Sequence, residues 1–335
     1  MSCFHPLTAI DCSPPFRRPG DKRVIRFGLP HNLEDYEYAM SQNRVLQLPC
    51  GQCVGCRLDY SRSWADRCMC EASYHDSSYF ITFTYDDEHL PRTFISDLST
   101  GECISPVATL SSRDFTNFLK RLRYYFSDDH IRYFACGEYG DNSLRPHYHG
   151  IFFGLHLDDL VYYKNSDKSF PYFTSKKLER AWSDVNGNRL GLCVVANVSW
   201  DTCAYTARYL LKKQRGEAAK IYQSLNIEPP FSRASRRPGI GRQYYEDHPD
   251  MFKYAYCDLC TPSGGHRFRP SSYYKRLYGV DNPEDFERYQ NQSLQNAINQ
   301  KELKLSLTSL DEYDSIILAE KRKLDKMKAL RRNLL

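Results

Sequence analysis

The chain has no apolar run close to the roughly 18 residues needed to span a bilayer. Its opening stretch, MSCFHPLTAIDC, has neither a basic n-region nor an apolar h-region. A membrane-spanning or exported chain is therefore not expected, and a cytoplasmic one is. No G-x4-G-K-[ST] loop occurs, which removes the phosphate cradle of a nucleotide-driven motor. A disulfide framework is also lacking: 13 cysteines is an odd number, and in a chain of 335 residues without a leader it favours reduced thiols or metal ligands. Net charge is only +5, a lean toward polyanionic partners that local clusters must strengthen.

What is present is a core and many aromatics. Hydrophobic residues make up 41% of the chain, enough for one large domain or two ordinary ones. The 26 tyrosines pack a mixed core for the most part, but beside arginine they also suit unpaired bases that stack. Residues 1–48 lack a hydrophobic period and read as irregular. Ser61–His75 reads as a helix, Tyr79–Tyr85 as a strand, and Ser112–Phe126 as a helix with Phe115, Phe118, Leu119, Leu122 and Phe126 on one face. Strands follow at Ile131–Cys136 and Pro146–Phe153, joined by a polar turn as a hairpin. A short helix at Lys176–Trp182, a strand at Leu192–Val198 and a helix from about Thr202 to Lys213 complete the series.

This β-α-β-β-α-β order predicts an α+β fold: a four- or five-stranded antiparallel sheet of ferredoxin-like, split βαβ type with helices on its faces. The first and third strands should be the central pair. Residues 1–75 form a Cys-rich segment, 76–215 the core, 216–280 a basic, loop-rich region and 281–335 a helical C-terminal extension with a basic end.

His147-Tyr148-His149 lies on the third strand. Alternation aims both imidazoles at one face and Tyr148 at the other, which makes half a metal site, although H-x-H alone also arises by chance. Glu138, at the end of the neighbouring hairpin strand, is placed to supply a third ligand. Mixed N and O donors suit Mg²⁺ or Mn²⁺ better than a closed zinc tetrahedron. On the last helix, Tyr205, Tyr209 and Lys212 fall at i, i+4 and i+7 and share a face. A tyrosine hydroxyl needs a prepared phosphate to act as a nucleophile, and a divalent ion can prepare one. Lys212 could stabilise charge in the transition state; otherwise it is a surface lysine.

Two further clusters stand out. Cys50-Gly-Gln-Cys53-Val-Gly-Cys56 is a three-thiolate knuckle in which Gly51 and Gly55 allow a tight turn, consistent with structural Zn²⁺. Cys3 or Cys12 could close the tetrahedron, with Cys68, Cys70 and His75 as rivals. Cys257-x2-Cys260 is a weaker pair. Ser235–Arg242 is a basic loop whose Arg236, Arg237 and Arg242 either grip phosphates or are solvated.

The His-Tyr-His strand with the two-tyrosine helix resembles the HUH endonuclease superfamily. With Pro49–Arg57, Phe80–Pro91, Tyr133–Phe153 and Ser235–Gly241, the chain more closely resembles the replication initiators of microviruses, the gokushovirus branch in particular. The resemblance implies rolling-circle initiation without ATP. One of Tyr205 and Tyr209 would nick viral origin DNA and remain on the 5′ phosphate, and the other would later close the circle. A host helicase and DNA polymerase would be partners, in the cytoplasm of a bacterial host. Plasmid initiators, relaxases and transposases share the chemistry but more often use one tyrosine. A non-catalytic module for single-stranded nucleic acid, or a capsid or scaffolding role, would give no reason for the imidazoles and phenols to meet.

Overall fold

A computed structural model describes residues 3–13, 24–28, 37, 45–96, 103–140, 143–166, 169–208, 219–254, 256–261 and 264–332. Its strands, in chain order, are β1 (Leu7–Asp11), β2 (Ile25–Phe27), β3 (Val45–Leu48), β4 (Ser78–Thr84), β5 (Arg92–Ser96), β6 (Cys103–Ala108), β7 (Arg132–Tyr139), β8 (Pro146–Phe153), β9 (Val161–Asn165), β10 (Pro171–Thr174), β11 (Cys193–Asn197), β12 (Phe231–Ala234), β13 (Cys257–Thr261) and β14 (Gly264–Phe268). The chain divides into two compact units, one of residues 61–250 and 258–268, the other of residues 1–60, 251–257 and 269–335.

The larger unit is built on a seven-stranded antiparallel sheet of order β12-β7-β8-β4-β11-β10-β9. Its inner four strands, β7-β8-β4-β11, are those expected from the sequence, in the expected order, with β8 against β4. The sheet is nevertheless wider than four or five strands. β12 adds one edge, and the β9–β10 hairpin adds the other. Neither carries a long alternating pattern of its own: β12 is four residues, Phe-Ser-Arg-Ala, inside a Pro- and Arg-rich stretch, and β9 is exposed along its length.

The sheet's alternation fixes two faces. Ile81, Phe83 and Tyr85 point to one side with Tyr148, Phe152, Ala135, Cys193 and Val195, and form the main core with Phe115, Phe118, Leu119 and Leu122 of helix Ser112–Tyr125 and with Trp182. That helix begins where Ser111 caps the Asp114 N–H through its side chain, and its apolar residues recur at three and four positions. The opposite face carries Phe80, Thr82, Phe134, Glu138, His147 and His149. Helix Trp200–Arg208 covers part of it, with Cys203, Ala204, Thr206 and Ala207 buried, and the Trp64 ring stacks on Phe134 at 4.4 Å.

In the smaller unit, β2-β1-β3 form an antiparallel sheet in a segment whose sequence reads as irregular. Three to five residues are too few to show a period. Helices Ser272–Asp281, Pro283–Ser306 and Glu312–Arg332 form the C-terminal extension, and Phe252 stacks on Tyr278 at 4.3 Å. No helix among the described residues is long and apolar enough to cross a membrane.

Candidate metal centre and tyrosine helix

His147 and His149 sit two residues apart on β8, and Glu138 faces His147 across the hairpin in the β7–β8 register. The three side chains bring ligand atoms within 4.8 Å of one another. Glu138 Oε1 lies 2.7 Å from His147 Nε2 and 3.5 Å from His149 Nε2. Burial alone would raise the Glu138 carboxyl, but hydrogen bonds and charge from the two imidazoles outweigh it and pull it down to about 2.

The other ring nitrogens are held from behind. His147 Nδ1 lies 3.0 Å from the Arg145 carbonyl, and His149 Nδ1 lies 2.9 Å from Thr82 Oγ1. A carbonyl only accepts, so Nδ1 of His147 carries its proton, while Nε2 of the same ring faces a second acceptor, Glu138. A neutral imidazole has one N–H and cannot serve both. A cation between Nε2 and the carboxylate removes the conflict, and rear hydrogen bonds of this kind orient metal-binding histidines. The donor set of one carboxylate and two imidazoles therefore fits a divalent ion. Thr82 does not stand out in the sequence, yet Tyr79–Tyr85 alternates, and Thr82 shares its face with Phe80.

The middle residue of the motif serves the other side. Tyr148 is fully buried, and its ring passes over Gly137, where a Cβ would meet Tyr148 and Phe231 ring carbons at 3.0 Å. Burial pushes its phenol well above the ordinary value, so this third tyrosine near the imidazoles is no nucleophile.

Tyr205 is placed differently. Helix Trp200–Arg208 starts with a reciprocal cap, in which Ser199 Oγ accepts from the Thr202 N–H at 3.2 Å and Thr202 Oγ1 from the Ser199 N–H at 2.9 Å. The helix is tied down where Trp200 Nε1 donates to Asp66 at 2.9 Å, a carboxylate that also meets His266 Nε2 at 2.9 Å. This clamp is not visible in the sequence, because its members are 134 and 200 positions apart. The Tyr205 ring lies 5.3 Å from the His149 ring, edge to face, and 6.0 Å from Phe80. It is 40% exposed. Tyr209 and Lys212 lie outside the described residues.

A second cluster gathers Cys3, Cys50, Cys53 and Cys56, with sulfurs within 4.8 Å of one another. Of the rivals for the fourth position, Cys12 is exposed, Cys68 is buried in the sheet-bearing unit, and His75 hydrogen-bonds Glu71. Gly51 makes the turn at φ +71°, but Gly55 lies inside helix Val54–Ala72, which begins seven residues before the start expected from the sequence. Backbone N–H groups point at the sulfurs: Phe4 N to Cys53 at 3.3 Å, Cys50 N to Cys3 at 3.3 Å and Cys53 N to Cys50 at 3.2 Å. Burial opposes ionisation of Cys53, but these N–H donors and the neighbouring thiols lower it to about 6, while Cys56 and Cys3 are pushed up, by burial foremost. One thiolate is stabilised at the expense of the rest, an imbalance that a divalent cation corrects. Cys257 and Cys260 lie three apart on β13, on opposite strand faces, and cannot converge on one ion.

Of the three arginines singled out, Arg236 and Arg237 are exposed on one loop, whereas Arg242 bonds Glu246 at 2.7 Å.

A central antiparallel strand presenting His-x-His, joined by a carboxylate from its hairpin partner and approached by a helix-borne tyrosine, defines an HUH-like site. Comparison with known proteins gives the family. Residues 78–214 match the family model of the replication-associated protein ORF2. The chain is 32% identical over 283 residues to replication-associated protein ORF2 of Spiroplasma virus 4, covering 82% of this chain and 80% of the relative. It is 29% identical over 277 residues to replication-associated protein VP4 of Bdellovibrio phage phiMH2K, covering 80% and 79%. It is also 28% identical over 179 residues to replication-associated protein ORF4 of Chlamydia phage 1, covering 50% and 38%. No solved structure matches. The chain belongs to the replication-associated protein ORF2 family, Rep proteins of the HUH superfamily related to those of phages.

Proposed function

We propose that this protein initiates rolling-circle replication of a small single-stranded DNA phage, of the microvirus and gokushovirus type, in the cytoplasm of a bacterial host. The observation that carries the reading is the exposed Tyr205 ring against His149, beside the converging Glu138 and His147. Burial separates the roles: the ligands are held rigid, while the phenol is open to a strand arriving from solvent.

The chemistry is a transesterification. The Tyr205 hydroxyl attacks the phosphorus of a phosphodiester, a tyrosyl O–P bond forms, and the P–O3′ bond breaks. The 3′ oxygen leaves and takes up a proton, and the 5′ phosphate stays on the protein. One ester replaces another, so the bond energy is kept and later joining needs no ATP. Bound by Glu138, His147 and His149, Mg²⁺ or Mn²⁺ would polarise a non-bridging phosphate oxygen and offset the charge built up in the transition state. Tyr209 is the second nucleophile, attacking the regenerated origin after one circuit, and Lys212 steadies the developing charge. The four cysteines hold structural Zn²⁺. With no P-loop in the sequence, strand separation falls to a host helicase, and extension of the free 3′-hydroxyl to a host DNA polymerase.

The test is covalent capture. A labelled single-stranded origin oligonucleotide, incubated with the full chain and Mn²⁺, should shift on a denaturing gel and lose the shift with EDTA or with Glu138→Gln. Tyr205→Phe should reduce adduct by at least tenfold in the first turnover, and Tyr205→Phe/Tyr209→Phe should abolish it. Undiminished adduct from the double variant would place the nucleophile elsewhere.

A further inference from the structure

A groove of about 870 Å³ opens at the opposite end of β7 from Glu138, bordered by the start of β7, the end of β12 and the loop after it. Six residues separate Arg132 from Glu138 along the strand, which places the two ends about 20 Å apart. The groove is lined by Arg123, Arg132, Arg233, Arg236 and Arg237, with His75 and His130, against a single acid, Asp129. That acid is already engaged: its two oxygens accept from the His156 N–H and meet His156 Nδ1, each at 2.8 Å.

The loop carrying Arg236 and Arg237 is fastened from beneath. Buried Arg67 donates twice to the Ile240 carbonyl, at 3.1 and 2.9 Å. Buried Glu71, one helical turn further on, accepts the Gly241 N–H at 2.6 Å and pairs with Arg132. Arg132 in turn donates to the Pro238 carbonyl at 2.9 Å. Ser235 exchanges hydrogen bonds with the Tyr133 backbone at 2.9 and 3.1 Å. A merely solvated basic loop would gain nothing from two buried, oppositely charged side chains committed to its backbone. Here they hold the loop in one shape and leave the Arg236 and Arg237 guanidiniums exposed. Fixed forks of this kind recognise phosphate with little ordering cost.

We propose that this groove is a phosphodiester-backbone clamp that grips the DNA strand remote from the bond being cut, holding it while Tyr205 and the metal centre act. The inference rests on the nicking function above for the identity of the polyanion. Phosphate contacts position a strand without reading its sequence, so the clamp should add affinity and salt dependence to any DNA.

The experiment measures binding of the full chain to a fluorescent origin oligonucleotide, as single strand and as duplex, between 50 and 200 mM salt. Nicking is followed in parallel. Arg236→Gln/Arg237→Gln should bind more weakly, with a log–log salt slope flatter by roughly 1.4 to 1.8, so that the wild-type advantage shrinks about tenfold across that range. At saturating DNA its nicking rate should equal that of wild type. Arg242→Gln, whose partner is Glu246 and which is outside the groove, should bind like wild type. If wild type nicks but the double variant keeps its affinity and slope, the clamp is refuted while the nickase stands. If wild type forms no adduct yet the double variant shows the weakened, flattened binding, the groove holds DNA and the nicking function fails instead. Failure of wild type to bind either DNA refutes both.

Discussion

The Tyr148 hydroxyl accepts the Ser111 backbone N–H at 2.9 Å and donates to the Ser111 carbonyl at 3.0 Å. Tyr148 lies between the two imidazoles in sequence, and Ser111 caps helix Ser112–Tyr125 on the far side of the sheet. The Tyr85 hydroxyl joins at 3.0 Å and bonds Asp114 at 3.0 Å. The strand that carries the ligands is thus pinned to the core helix by a polar anchor within an apolar layer. A phenylalanine would satisfy the hydrophobic requirement but not the anchor.

Tyr148→Phe is therefore expected to lower stability by about 1–3 kcal/mol, the cost of leaving buried partners unsatisfied. Denaturant unfolding measures the loss. The loosened strand should also bind Mn²⁺ more weakly in calorimetric titration, although no metal ligand has been changed. An unfolding midpoint equal to that of wild type would show that the anchor contributes nothing.

Sequence patterns revealed the inner sheet and the metal ligands because both follow local rules. Alternation places His147 and His149 together, and a short polar turn brings Glu138 across from them. Four strands of five to eight residues are long enough to show their type. The edges were not legible. β12 and β2 owe their pairing to neighbours rather than to their three or four residues. The same limit hid Thr82 behind His149 and the Asp66 clamp on Trp200, since such contacts are made by the fold and leave no spacing to read. Cys3 could not be chosen over Cys12 for a related reason: 47 residues separate it from the knuckle, and only the paired β1 and β3 bring that distance to a hydrogen bond.

That closure makes the cysteine cluster testable. Zinc released by mercurial titration and measured with a colorimetric chelator should amount to one per chain. Cys3→Ser should lose it, whereas exposed Cys12→Ser should keep it. Zinc removal should also lower Tm, because a closed thiolate site contributes directly to folding. Zinc retained by Cys3→Ser would return the fourth position to another ligand.

Glu71 gives the loop beneath the arginine groove a dependence on acid. Burial would raise its carboxyl, but hydrogen bonds from His75, the Gly241 N–H and Arg132 prevail and hold it below the usual carboxylate value of 4.5. A group depressed in the folded state contributes stability that is fully present above its unfolded pKa and is lost as pH falls through the lower, folded value. The Gly241 amide should accordingly exchange slowly at neutral pH and lose protection progressively below about pH 4.5, once the intrinsic exchange rate is corrected for pH. Glu71→Gln keeps the shape and removes the charge. It should expose the Gly241 amide at neutral pH, cost about 1–3 kcal/mol of stability there, and abolish the difference between pH 7 and pH 4 at this amide. Other carboxylates titrate in the same window, so the difference between wild type and the variant isolates Glu71, and identical pH profiles would show that the loop is held by something else.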